Sequence, residues 1–196
     1  MKTPCHWLMV FPIAAASVAP AYGVEGSAAP GLPTVPDAVH LHLLTNHIPI
    51  FITLSGLVAL GLALLWKSNH AQRVGLILLI FGTVGGVVTL WLGQESYKPV
   101  RALADEMGQD WLDLHIKRAE QVAWLFWLAA ASAVAALVMV WRHLRFALMA
   151  TVVAGALAAA TLGASGWIAD AGGKIRHPEI RGNEVPPSDP ADSHGE

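Results

Sequence analysis

The chain has 196 residues, of which 55% are hydrophobic and only 13% are charged, whereas about a quarter are charged in an ordinary soluble domain. Its net charge of −2 excludes the basic footprint of a nucleic-acid-binding protein. The one cysteine, Cys5, lies in a segment that we expect to be removed, which excludes disulfides, c-type haem attachment and thiolate metal sites in the mature chain. Any metal or cofactor is therefore held by His, Met or carboxylate groups.

Residues 1–21 have the pattern of a secretory signal peptide. The apolar stretch Leu8–Val18 is followed by the small-x-small sequence Ala19-Pro20-Ala21 and is shorter than the roughly 20 residues that span a bilayer. An uncleaved anchor is the alternative, which we favour less because a linker containing Pro and Gly, residues 22–39, follows at once.

Four apolar runs without a charged residue predict four membrane-spanning helices. These runs are Ile48–Trp66, Val74–Leu92, Val122–Trp141 and Phe146–Ile168. We therefore expect an all-α membrane protein, in which residues 40–181 form a four-transmembrane-helix bundle. Residues 182–196 then form a disordered acidic tail.

Charge asymmetry between the connections predicts the orientation of the bundle. The turns 67–73 and 142–145 each carry two basic residues and no acid, whereas the connection 93–121 has four basic and six acidic residues. The positive-inside rule places both short turns in the cytoplasm. The long loop and both mature termini are then periplasmic, and the membrane is the inner membrane of a bacterium. One end of the loop, Asp110–Glu120, contains no Pro or Gly and is expected to extend the third helix by roughly two turns. Tryptophans at the run ends fit membrane interfaces: Trp66, Trp91, Trp141 and Trp167.

Small residues are concentrated in the second and fourth runs. They include Gly82, Gly85, Gly86, Gly155, Ala159 and Gly163. Close helix packing in lipid is the favoured interpretation, because small residues let helix backbones approach. Room for a flat cofactor is the alternative.

Five of the eight histidines in the mature chain lie at the predicted outer end of the bundle. They are His40, His42, His47, His115 and His177. Single histidines near an interface are more often polar caps than ligands, but these five come from three separate segments. Ionisable groups at membrane depth favour a function.

Helical geometry separates the first three histidines. At about 100° per residue, His40 and His47 share a face, whereas His42 and His47 point about 140° apart. His42 and His47 therefore fit two sites, one on each side of the first helix. Pro49 is tolerated in a first helical turn, which predicts that the regular helix begins near His47.

The residue types favour a haem site over other metal sites. Imidazole suits zinc, copper and iron, but no thiolate or Met accompanies these histidines, which disfavours copper(I). Histidines on facing helices of a membrane bundle are typical of b-type haem held by two axial imidazoles. A zinc site needs three or four converging ligands. Hydrolase and phosphate-loop motifs are absent from the sequence.

Several motifs resemble an uncharacterised family of bacterial four-helix membrane proteins that opens with His-x4-His-hydrophobic-Pro. This chain has His42-x4-His47-Ile48-Pro49 and closes with Gly172-Gly173-Lys174-Ile175-Arg176-His177-Pro178-Glu179-Ile180, and a Gly93-Gln94-Glu95 element and His115 also match one subgroup. Two departures are Leu43, where many members have Pro, and Ile116-Lys117 after His115, where the subgroup often has Glu-Glu.

The resemblance, which covers residues 40–181, implies that His42, His47, His115 and His177 are the functional set, with His40 secondary. Some relatives are fused to c-type cytochrome domains, which favours electron transfer. We therefore predict one or two haem b groups that pass electrons between quinol and a periplasmic cytochrome. His47 and His115 are the first expected axial pair, and His42 and His177 the second.

Two further residues have expected roles at this site. Arg176 is expected to pair with a haem propionate, and Glu95 to accept a proton from quinol or to cap its helix. Two other functions remain open. One is a non-enzymatic membrane protein that binds zinc or copper through the same histidines, and the other is a structural subunit of a larger membrane complex.

Overall fold

The computed structural model describes residues 37–187, which are helical and contain no strand. The predicted signal peptide, most of the predicted linker, and residues 188–196 of the predicted tail lie outside this range. The helices are α1 (Ala38–Thr45), α2 (Ile48–Leu65), α3 (Asn69–Leu103), α4 (Glu106–Trp141), α5 (Ala147–Lys174) and α6 (Pro178–Arg181).

Four helical segments are long and apolar enough to cross a membrane, which confirms the predicted number of spans. They are Ala38–Leu65, Asn69–Leu103, Glu106–Trp141 and Ala147–Lys174. Large apolar side chains on their outward faces are exposed, among them Phe81, Val88 and Trp127. Such a surface requires an apolar solvent, so the protein is a multi-pass membrane protein.

A break at Asn46 and His47 separates α1 from α2. Asp37 caps α1 by accepting a hydrogen bond from the backbone N–H of His40 at 2.8 Å. Helix α2 begins at Ile48 with Pro49 in its first turn, where the missing N–H costs nothing. The regular helix therefore begins beside His47, as the sequence predicts.

Helices α3 and α4 extend well beyond their apolar runs and meet at Ala104 and Asp105. The connection 93–121, expected to be a long loop with one helical end, is thus helical except at these two residues. Asp105 caps α4 by accepting from the N–H of Gly108 at 2.9 Å. Asp113 accepts hydrogen bonds from Tyr97 and Arg101, and this pairing joins the polar ends of the two helices.

The first apolar cluster holds the four long helices together near their short turns. It consists of Leu60, Leu76, Leu79, Ala133, Ala136, Val140, Ala154 and Ala158. Gly82 lies against the backbone of Thr53, and Gly86 lies against the ring of Phe126. These contacts confirm the packing role of the α3 glycines. In contrast, Gly163 is exposed, with nothing within 4 Å of a Cβ built there.

Replacing Gly82 with alanine is expected to destabilise the bundle. A Cβ at this position would lie 2.7 Å from the backbone nitrogen of Thr53, so α2 and α3 would have to separate. Overpacking of this kind costs about 1–3 kcal/mol. Denaturant-induced unfolding in detergent measures the change. Gly163→Ala is the matched control, and an equal stability of the two variants would contradict this packing.

The segment after α5 folds back onto the start of α4. Arg181, which is 5% exposed, donates a hydrogen bond to Asp105, and it donates another to the carbonyl of Lys174 at 3.3 Å. Lys174 also forms an ion pair with Glu184 at 2.7 Å. These contacts form a tail clamp, defined here as Arg181, Asp105, Lys174 and Glu184.

Removing the tail clamp is expected to free residues 177–184 without unfolding the bundle. In Arg181→Met, their amides should exchange with deuterium faster, whereas Arg176→Met, which changes an exposed residue, should not alter their exchange. The hydrogen bond from Arg181 holds the pKa of Asp105 below its ordinary value. The ionised Asp105 therefore stabilises the clamp fully at pH values above its ordinary pKa. This stabilisation is lost as the pH falls through the lowered pKa. Unchanged exchange in Arg181→Met would contradict the clamp.

Candidate functional site

His42 lies on α1 and its ring rests against the last third of α3. Its Nδ1 is 3.1 Å from the backbone carbonyl oxygen of Thr89. A Cβ built on Gly93 would lie 3.1 Å from Cε1 of the same ring. The ring is therefore fixed by one hydrogen bond and by contact with a residue that has no side chain.

His115 lies on α4 and makes the corresponding contacts with α5. Its Nδ1 is 2.8 Å from the backbone carbonyl oxygen of Ile168. A Cβ built on Gly172 would lie 3.0 Å from both Cε1 and Nδ1 of the ring. Each half of the chain thus has a histidine whose ring contacts a carbonyl in the second half of a neighbouring long helix.

Gly93 and Gly172 explain how each histidine ring reaches a backbone carbonyl that already accepts a hydrogen bond within its own helix. In an α-helix the carbonyl of residue i accepts from the N–H of residue i+4 and keeps a second lone pair. The side chain of residue i+4 lies over that turn. Gly93 is four residues after Thr89, and Gly172 is four residues after Ile168. The absence of a side chain there leaves the second lone pair accessible to the imidazole.

These hydrogen bonds determine the tautomer of each ring. A carbonyl oxygen only accepts, so Nδ1 carries the proton in both His42 and His115. In the neutral imidazole, Nε2 then keeps its lone pair and is free to bind a metal. Histidine ligands of metals usually donate their other ring N–H to a backbone carbonyl or a carboxylate in this way.

His42 and His115 come from different halves of the chain, on α1 and α4. The first apolar cluster is near the short turns, and the second consists of Trp111, Leu112, Ala171 and Ile175. Along α5, Ile168 lies between the residues of the two clusters. His115 thus contacts α5 between the two apolar clusters, toward the α3–α4 end of the bundle.

The other predicted site residues lie on the surface at the same end. His40, His47, Arg176 and Glu95 are exposed. His177 is also exposed, and its Nδ1 is 2.8 Å from Glu179 Oε1. The backbone N–H of Glu179 and then His177 hold the pKa of Glu179 below its ordinary value. The structure therefore holds one member of each predicted axial pair, His42 and His115, against a neighbouring helix and leaves the other member, His177 or His47, exposed.

One residue of this site was not predicted from the sequence. Arg118, one turn after His115, is 9% exposed. It donates a hydrogen bond to the carbonyl of Trp167 at 2.6 Å and another to Asp170 at 3.1 Å. Its charged group lies 4.8 Å from the centre of a Trp167 ring. The only available signal was a basic residue three positions after a histidine on a long helix.

Three buried polar atoms near the histidines have no hydrogen-bond partner in the described part of the chain. They are Oδ1 of Asn46, four residues after His42, Nε1 of Trp111, four residues before His115, and Nε of Arg118. Within residues 37–187, His, Cys, Asp and Glu side chains form no group of three or more that could hold a metal ion.

The fold and the site together define a class: an α-helical multi-pass membrane protein with two half-buried histidines whose rings are oriented by neighbouring helices. Comparison with protein-family models, curated proteins and solved structures finds no match to this chain.

Proposed function

We propose that this protein binds one b-type haem between His42 and His115 and transfers electrons at the periplasmic face of a bacterial inner membrane. One observation carries the proposal: two histidines from opposite halves of the bundle are held alike, with Nδ1 bonded to a helix carbonyl and Nε2 left to bind iron. When bound, the haem supplies one-electron chemistry. The residues of the chain hold it, orient it and tune its potential.

The donor set supports haem in preference to the other metals. Two imidazoles complete the axial coordination of a b-type haem, whereas zinc takes three or four protein ligands. Gly93 and Gly172 let the two rings lie against the helix backbone, where any side chain would displace them. The buried Nε–H of Arg118 is a free donor, which suits the carboxylate of a haem propionate better than the exposed Arg176.

Quinol is the electron donor and a periplasmic c-type cytochrome the acceptor in this proposal. The placement of the histidines near one end of the bundle favours electron exchange on that side. The same end carries Glu95, which remains exposed and available to accept a proton from quinol. The resemblance of residues 40–181 to proteins fused to c-type cytochrome domains supports a cytochrome partner.

The visible spectrum of the purified protein tests this proposal. After expression with sufficient haem, we expect a Soret band, reduced-minus-oxidised bands of b-type haem, and about one haem per chain. Elemental analysis of the same sample tests the second candidate function, metal binding without porphyrin. Stoichiometric zinc or copper without a Soret band would reject the haem proposal and support that second function.

A further inference from the structure

We infer that Arg118 positions His115 and raises the reduction potential of the site by placing a buried positive charge beside it. This inference rests on the proposed haem function. It concerns a residue that neither the motifs nor the spacing of the histidines identified.

The positioning role follows from two neighbouring hydrogen bonds between α4 and α5. His115 Nδ1 donates to the carbonyl of Ile168 at 2.8 Å, and Arg118 donates to the adjacent carbonyl of Trp167 at 2.6 Å. The two donors are one turn apart on α4, and the two acceptors are consecutive on α5. Arg118 therefore fixes the height and rotation of the carbonyl on which the orientation of His115 depends.

The tuning role follows from the difference in burial between Arg118 and its counter-charge. The side chain of Arg118 is 11% exposed, whereas that of Asp170 is 52% exposed. Asp170 also pairs with Lys174 at 3.3 Å, so its charge is shared and screened by solvent. Arg118 is three residues after His115 on α4, so the two side chains lie on the same face of that helix. A nearby positive charge stabilises the state that holds the extra electron, which raises the reduction potential.

The position three residues after His42 carries no charged side chain, so the two sides of the proposed site differ. The residue three positions after His42 is Thr45, which donates to the carbonyl of Leu41 in its own helix. The residue three positions after His115 is Arg118. Only the His115 side therefore has both a buried charge and a second hydrogen bond to the neighbouring helix.

Two variants with opposite expected effects, one conservative variant and one control test the tuning role by potentiometric titration of the haem. Arg118→Met should shift the midpoint potential to lower values, because the positive charge is lost. Asp170→Asn should shift it to higher values, because the counter-charge is lost. Arg118→Lys should stay nearer the wild-type value than Arg118→Met. Arg145→Met, which removes a charge at the opposite end near Phe146, should leave the potential unchanged.

The positioning role is tested without haem by the ring-nitrogen resonances of His115 in protein labelled with 15N-histidine. In the wild type, we expect a single Nδ1–H tautomer. In Arg118→Met, we expect a mixture of tautomers, and partial rescue in Arg118→Lys. An unchanged tautomer in Arg118→Met, or potentials that do not move in opposite directions, would overturn the inference and leave the haem proposal intact. A wild type without haem would overturn the proposed function, while the tautomer measurement would still decide the positioning role.

Discussion

Alanine substitution of either His42 or His115 is expected to remove the haem from the purified protein. Each variant loses one of two axial ligands, and the loss in affinity should exceed the 10- to 100-fold typical of residues that only support a ligand. Haem content per chain, from the pyridine haemochrome spectrum, measures the effect. Because neither residue belongs to either apolar cluster, the variants are expected to fold.

His40→Ala and His47→Ala are the matched controls for this prediction. Both residues are exposed histidines of the same segment as His42, and both variants should keep the wild-type haem content. Loss of haem in His47→Ala with retention in His42→Ala would contradict the pair that the structure holds against neighbouring helices. That result would restore the His47–His115 pair expected from the sequence.

Replacing Gly172 with alanine is expected to weaken haem binding although no ligand is changed. The new methyl group would lie 3.0 Å from two atoms of the His115 ring. It would also cover the carbonyl of Ile168, so the ring must rotate away from its hydrogen bond. We expect haem affinity to fall by about 10- to 100-fold, as for other residues that orient a metal ligand.

Gly173→Ala is the control, because a Cβ at that position meets nothing within 4 Å. Both variants gain the same helix propensity of up to about 1 kcal/mol, so propensity does not explain a difference between them. Haem titration of the purified proteins, followed at the Soret band, compares the two affinities. Equal affinities would contradict the role of the glycine. Gly93→Ala is expected to act in the same way on His42.

The number and approximate location of the spanning helices could be predicted because membrane insertion depends on the length of apolar runs. The extension of α4 through Asp110–Glu120 could also be predicted, but the helical state of residues 93–109 could not. Residues 93–109 are polar and contain Pro99, so no apolar period marks them. Their helical state depends on tertiary contacts, such as the pairing of Arg101 with Asp113, and on the Asp105 cap.

The histidine set could be predicted from the sequence, but the pairing within it could not. His42 and His47 are five residues apart, and which of them faces the bundle depends on the break between α1 and α2 at Asn46 and His47. The packing of α1 against α3 decides this orientation. Gly93 and Gly172 were visible as motif residues. Their role depends on which carbonyl each histidine contacts, and the packing of the helices against one another decides that contact.

The spin state of the oxidised haem tests most directly the claim that His42 and His115 bind one haem between them. Two axial imidazoles produce a low-spin ferric signal in electron paramagnetic resonance. We predict this signal in the wild type, and a high-spin signal in whatever haem His42→Ala retains. A high-spin wild type, or a low-spin signal unchanged in His42→Ala, would contradict the account.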